Sequence, residues 1–268
     1  TENGLGFTGY AEAPTFNVAG GLYERPLTGE NAVTISVPAN SVVRYTLDST
    51  DPDETSPLYT GPIEVERNTV IRARAFRDGV EASQIISQTY LISVYHTMPV
   101  ICLTTDPDNL WNEEYGALAD GPNIDKSTST PWFKNATYGQ KNWFPAWLEY
   151  TDENGQLQIS QGVRFRIMGQ YSLDMPQKSM FIKADGQFGK SEFDYALFDD
   201  RPYTTYKSFV LRNGGQDGLY TRVMDGLEAR IIDQADSTLV TQSWKPVIVY
   251  IDGEYWGHFN MRERAGVD

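Results

Sequence analysis

The sequence predicts a mostly β protein of two domains: a small Ig-like antiparallel sandwich, then a larger α+β portion in which sheet dominates. Three observations predict it. From Pro14 to about Ile92, short β-branched and aromatic runs alternate with turn-forming clusters at the spacing of a sandwich. Near Ser93 to His96 the texture changes to dense aromatics and longer loops. Beyond that point only one stretch has a helical period. The expected layout is a leader or linker over residues 1–13, the sandwich over 14–94 and the second domain over 95–268.

In the first domain, "AVTISVP" alternates, "SVVRYTLD" is β-branched and aromatic, and "DSTDPDETSP" breaks the chain. "PIEVE", "TVIRARAF" and "SQTYLIS" supply further strands, with "RDG" as a tight turn. Asp48, Asp51, Asp53 and Glu54 are oxygen-rich, but they lack the spacing and glycine of an EF-hand and read as turn residues. In the second domain, "AWLEYTD" and "QLQISQGVRFRIMG" predict a hairpin turning at Glu153-Asn154-Gly155. "SFVLRNGG" reads as a strand ending in a glycine turn. "TRVMDGLEARIIDQAD" is the helix, with Val223, Met224, Leu227, Ile231 and Ile232 as its apolar stripe and Glu228 at the edge, able to reach inward to the sheet. "PVIVYIDGEYWGHFNMRE" predicts two strands around Asp252-Gly253. The aromatics from Trp111 to Tyr150 read as core, with a sugar-stacking platform as the alternative.

Composition excludes several classes. A formal net charge of -14 argues against nucleic-acid binding and against adsorption to anionic membranes. No apolar run is long enough to span a bilayer. Cys102 stands alone, so it forms no intrachain disulfide and reads as a small buried hydrophobe. His96 and His258 are too few for a zinc site of several His and Cys ligands, and no metal ligands are assigned. No Gly-x-Ser-x-Gly elbow is present. A start at Thr1 without a signal segment predicts a processed or trimmed product.

One constellation could carry chemistry. In "RFRIMGQYSLDMPQKSMFIKA", Gly169 follows a strand, where backbone can approach a ligand closely. Exposed N–H groups and the Ser172 hydroxyl can bind phosphate oxygens. Lys178 on the next strand can aim its ammonium at the same phosphates, and Glu228 is the carboxylate expected to fix it. A solvated hairpin lysine is the plainer alternative. Arg222 and Asp225 could simply pair along the helix. Asp217 reads as a turn or cap residue.

The chain also resembles two known families. Its first domain, in "PTFNVAGGLYERP", "VRYTLDSTDPDETSPLYTGPIEV" and "TVIRARAFRDGVEASQIISQTYLI", resembles the chitobiase/β-hexosaminidase C-terminal-like module, an Ig-like accessory domain. It departs at Ser49, where that family commonly has glycine. From about Pro99 onward the chain resembles the CotH (spore-coat protein H) kinase family. The blocks that carry this are "MPVICLTTDPDNLW", "VRFRIMGQYSLDMPQKSMFIKA", "LFDDRPYTTYKSFVLRNGGQDGLYTRVMDGLEARI" and "PVIVYIDGEYWGHFNMRERAG", in family order.

The resemblance implies an atypical, secreted bacterial protein kinase, in part kinase-like in fold, that phosphorylates serines of surface or coat proteins with ATP and Mg²⁺ or Mn²⁺. It implies Arg166, Gly169 and Ser172 in a nucleotide-facing loop and Lys178 on the α/β phosphates, with Glu228 as partner. Arg212, Asp217, Arg222 and Asp225 match family positions, and Glu263 falls in the block leading to the nucleotide hinge. The family's metal-binding and catalytic aspartates lie beyond that block, so this polypeptide alone is expected to be a truncated kinase-like portion without phosphotransfer activity. The other reading is a non-catalytic cell-surface adhesion or glycan-binding protein. The kinase reading needs Lys178 and a partnered carboxylate facing an open groove. The adhesion reading needs exposed aromatics on the sandwich or near Trp132 to Trp147, and Lys178 in solvent.

Overall fold

The computed structural model describes residues 9–127, 134–236 and 238–264. The first domain is built on a four-stranded sheet of β1 (Gly21–Tyr23), β2 (Val42–Thr46), β3 (Thr69–Phe76) and β4 (Ile86–Ile92), in the order β1-β4-β3-β2. β1 runs parallel to β4 and the other pairs are antiparallel. The predicted strands "AVTISVP" and "PIEVE" form a looser facing layer, joined by bridges Val33↔Ile63 and Leu27↔Val65. Alternation decides which side is core: Ile71, Ala73 and Ala75 of β3 point between the layers, where Val33, Val65 and Tyr90 meet them. The Ser49 backbone takes φ 66°, the left-handed value a glycine would adopt freely. Within the stretch read as a leader, the Ala11 N–H donates to the Glu81 carbonyl and the Gly9 carbonyl accepts from the Glu81 N–H, across the bridge between Tyr10 and Glu81.

The second domain is a closed seven-stranded barrel, a closure the strand pattern did not reveal. Its strands are β5 (Val100–Thr104), β6 (Phe144–Thr151), β7 (Leu157–Met168), β8 (Ser179–Ala184), β11 (Ser208–Arg212), β12 (Trp244–Ile251) and β13 (Glu254–Glu263). They follow the order β11-β13-β12-β5-β6-β7-β8, and β8 pairs with β11 to close the ring. A short helix α1 (Pro107–Trp111) follows β5, with Asp106 capping it and Pro107 at its first position. A small hairpin of β9 (Phe193–Asp194) and β10 (Thr205–Tyr206) and the longer helix α2 (Met224–Ala235) lie outside the ring. Phe165, Ile167, Ile182, Leu211, Val249 and Phe259 fill the interior. The β12–β13 turn has positive φ at Asp252 and Gly253, as a two-residue hairpin loop requires.

Two sequence expectations fail at α2. Met224, Leu227, Ile231 and Ile232 are exposed, and Glu228 is exposed with them. The helix docks instead through Gly226, where a Cβ would lie 2.5 Å from the Trp244 ring. A residue without a side chain permits this close approach, and the apolar stripe is left facing away from the barrel.

The back of the sandwich sheet covers one flank of the barrel. Leu91 of β4 packs with Val100, Cys102, Ile248 and Tyr250, all outward residues of β5 and β12. Glu149 of β6 is buried in this junction and accepts a hydrogen bond from the Thr89 backbone N–H at 2.9 Å. Its other carboxylate oxygen has no hydrogen-bond partner among the described residues, and burial pushes its pKa up to about 8. Asp252, also at the junction, accepts from the Thr105 N–H, and burial raises it to about 7.

Candidate functional site

The loop between β7 and β8 is held by the lysine expected to face phosphate. Lys178 is buried, and its Nζ donates to the carbonyls of Leu173 (2.7 Å) and Met175 (3.2 Å). The ammonium lies 3.9 Å from the centre of the Tyr138 ring. Burial lowers its pKa, with Asp120 and Asp174 acting in the opposite direction. Among the described residues Lys178 forms no ion pair, so the expected Lys178–Glu228 pair is not made. The side chain is neither in solvent nor facing a carboxylate across a groove. It fixes the turn at Tyr171–Asp174, and Lys141 fixes the same loop by donating to the Gly169 carbonyl. Gly169 itself has φ 130° and sits against Ser172, whose Oγ would lie 2.5 Å from an added Cβ.

Beside this loop is a depression of about 420 Å³ that gathers several of the expected residues. Ser172, Arg212, Asp217, Asp225 and Glu228 all line it, with Gly214 and Gly215. Asp217 caps the start of α2: its carboxylate accepts from the Met224 N–H and from Thr221. Asp225 does not pair with Arg222. Its Oδ2 accepts from Arg212 Nε and from Arg262 at 3.2 Å, while its Oδ1 is buried with no hydrogen-bond partner among the described residues. Arg222, at φ 64°, turns away to Gln177 Oε1 and the His258 carbonyl. Glu263 lies at the barrel rim and holds Arg201 at 2.8 Å, which ties the loop after β9 to the end of β13.

The feature that sequence reasoning missed is the outer face of β7, β8, β11 and β13. Inward Phe165, Ile182, Leu211 and Met261 force Arg164, Arg166, Lys183, Arg212 and Arg262 outward. Two carboxylates oppose them there, Asp185 on Arg164 (3.0 Å) and Asp225 on Arg212 and Arg262. Two aromatic side chains spread the guanidinium groups over their rings. Arg164 and Arg166 lie over Trp143, at 4.7 and 5.1 Å, and Arg166 and Arg264 over Phe181, at 5.5 and 4.4 Å. Burial and the nearby charge of Arg264 lower the Arg166 pKa. The alternation in "VRFRIMG", "FIKA" and "NMRER" carries the outward phase of each strand, but only the register between strands makes it one patch.

Trp143 is more than a third exposed and Trp111 more than half, whereas Tyr138 and Tyr150 are core. Trp132 lies outside the described residues. Asp48 and Asp53 are occupied by Thr50, Thr55 and Ser56 in their own turns, and Asp51 pairs with Arg72.

Residues 165–268 match the family described as CotH kinase protein. The part of the barrel from the middle of β7 onward is similar to a CotH kinase segment. Residues 33–90 match the family described as Fn3 associated, over the region that resembles the chitobiase C-terminal-like module. No curated protein matches the chain. The CotH match starts within β7 and takes in Lys178, the depression beside the Gly169 loop and the cationic residues Arg166, Lys183, Arg212 and Arg262, but not Arg164 or Trp143, and it supports a kinase-related function for this part of the molecule. No described helix is long and apolar enough to cross a membrane.

Proposed function

We propose that this chain is the nucleotide-receiving portion of a secreted, CotH-type atypical kinase, and that it takes the polyphosphate on the cationic outer face of the barrel. One observation carries the reading. Arg164, Arg166, Lys183, Arg212 and Arg262 share one sheet face in a chain whose net charge is -14. Segregation of that kind concentrates positive potential where an anion is to be held. Trp143 in the same patch, more than a third exposed, offers aromatic surface for a planar base.

The residues present fit the phosphates. ATP, when bound, would supply the phosphoryl group, and Arg166 and Lys183 would hold its oxygens. No cluster of three acidic, His or Cys groups among the described residues is arranged to hold a metal ion. Mg²⁺ is commonly bound through substrate phosphates and one or two carboxylates. No step is therefore derived through a metal. In this reading Lys178 is a positioning residue that sets the Gly169 loop from behind. Extracellular or coat association and a surface or coat protein acceptor belong to the same proposal and rest on the family.

The test is a thermal-shift titration with ATP and Mg²⁺ or Mn²⁺ on the full chain, Arg166→Gln and Lys178→Met. Binding to the folded form raises the melting temperature by mass action. A shift that shrinks in Arg166→Gln but survives in Lys178→Met supports the assignment. An unchanged shift in Arg166→Gln, or none in the parent chain, sinks it. Radiolabelled ATP on the same sample checks the expectation that this polypeptide alone transfers no phosphate.

A further inference from the structure

Between the sandwich and the barrel is a cleft of about 260 Å³, distinct from the phosphate face. We propose that it binds a single acidic saccharide unit, a pyranose ring carrying a carboxylate.

The two walls come from different domains. On the sandwich side, Arg72 and Arg74 project from the back of β3, opposite in phase to the core residues Ile71 and Ala73. On the barrel side stand Trp147 of β6 and the turn carrying Gln187 and Phe188. The turn lies directly on β7: a Cβ at Gly162 would be 1.8 Å from the Phe188 carbonyl oxygen, so only glycine lets Phe188 come in beside Trp147. The indole is fixed by its Nε1–H, which donates to Ser160 Oγ at 3.0 Å. The walls keep their separation because the junction beside them is buried and bonded through Glu149 and Thr89.

The polar groups fall into two kinds. Arg72 is consumed by the protein: it bonds the Ser49 carbonyl (2.6 Å), Asp51 (2.5 Å) and Ser87 Oγ (3.2 Å). Arg74 is not. Its Nε donates to the Ser83 carbonyl at 2.8 Å and its guanidinium carbon lies 5.7 Å from the centre of the Phe76 ring, while its outer edge makes no ion pair or hydrogen bond to the described residues. The side-chain amides of Gln84 and Gln187 likewise make no hydrogen bond to the described residues, and both line the cleft.

These features select a chemistry. A pyranose presents an apolar C–H face, which suits a fixed indole, and a rim of hydroxyl groups, which suits paired planar donors and acceptors. The volume is below the range usual for drug-sized ligands, which limits the occupant to about one ring. Asp51 cancels Arg72, so Arg74 leaves one positive charge uncompensated and a two-pronged partner for a carboxylate.

The probe is D-glucuronate, with D-glucose as its uncharged counterpart, read by saturation-transfer NMR on the full chain. Saturable glucuronate binding is expected, weakened about tenfold for glucose and in Arg74→Gln. Gln187→Ala should weaken it a fewfold. Both substituted side chains are partly or fully exposed, and melting curves verify that the variants fold. Absence of saturable glucuronate binding overturns the proposal, as does equal binding by Arg74→Gln. Equal affinity for glucose overturns the acidic class. Displacement of glucuronate by ATP would place the sugar on the phosphate face and overturn the cleft assignment, whereas failure of ATP binding alone leaves the cleft assignment standing.

Discussion

The barrel has two charged flanks that are treated in opposite ways. The flank of β5, β6 and β12 is covered by the sandwich and buries acids, Glu149 and Asp252, whose pKa values rise. The flank of β7, β8, β11 and β13 lies outside that cover and gathers cations, with Arg166 and Arg262 lowered by burial and like charge. On the covered side a carboxyl is tolerated because it can stay protonated. On the open side an arginine stays charged at any accessible pH, so it is stacked on aromatics or shared around Asp225. The first arrangement joins domains, and the second keeps positive charge at the surface in an acidic protein.

The largest effect should come from titrating the covered flank. No cation acts on Glu149 among its described partners, which include Thr89, Gly20, Tyr23, Tyr90, and Cys102 and Ser160 on the adjacent strands. Its folded pKa is raised, so in the folded state it keeps its proton where the unfolded chain has lost it. The stability it contributes is present at low pH and is lost as pH climbs from about 4.5 to about 8. At about 1.4 kcal/mol per unit the loss is several kcal/mol, with Asp252 adding in the same direction up to about pH 7. Melting temperatures from pH 5 to 9 should fall for the parent chain and stay flatter for Glu149→Gln, which keeps the acceptor for Thr89. An equal fall in the variant would remove Glu149 from the account.

Next comes the open flank. Asp225→Asn removes the charge shared by Arg212 and Arg262, and Arg262 is half-buried. A loss of about 1–3 kcal/mol is expected in denaturant unfolding. A neutral result would mean that water or another group compensates the two guanidinium groups, and the contrast between the flanks would weaken.

Much of this was legible in residue order. The mostly β organisation followed from alternation and turn residues, and the Asp252-Gly253 hairpin from its dipeptide; the glycine position that Ser49 fills was marked, though its left-handed backbone was seen only in the structure. What was not legible depends on register and closure. Arg164 and Lys183 are far apart in sequence and become cross-strand neighbours only through the β7–β8 pairing. Lys178 resembled a phosphate ligand in sequence, yet two carbonyls within five residues of it accept the hydrogen bonds of its ammonium. The stripe on α2 predicted a buried face, but Gly226 offered a closer approach to Trp244 than any of the large side chains could.

That docking gives the third prediction. Gly226→Ala gains helix propensity of about 1 kcal/mol but drives a methyl group into the Trp244 ring. Overpacking costs about 1–3 kcal/mol, so a net destabilisation of about 1 kcal/mol is expected, visible as a lower urea midpoint. A stabilised variant would show that α2 shifts easily, and that its contact with the barrel is loose.

The smallest effect sharpens the same point. Leu227 and Ile231 are 47% and 56% exposed, one turn apart on the side of α2 that Gly226 does not dock. If the helix were held by its apolar stripe, replacing both with Gln would cost several kcal/mol. Held as it is by Gly226 and the Asp225 ion pairs, the double variant should change stability by about 0.5 kcal/mol or less, because neither side chain leaves a cavity. Urea unfolding of this variant beside Asp225→Asn weighs the two attachments directly. A large loss in the double variant would return the helix to the orientation its periodicity predicts, with Glu228 swung toward the sheet.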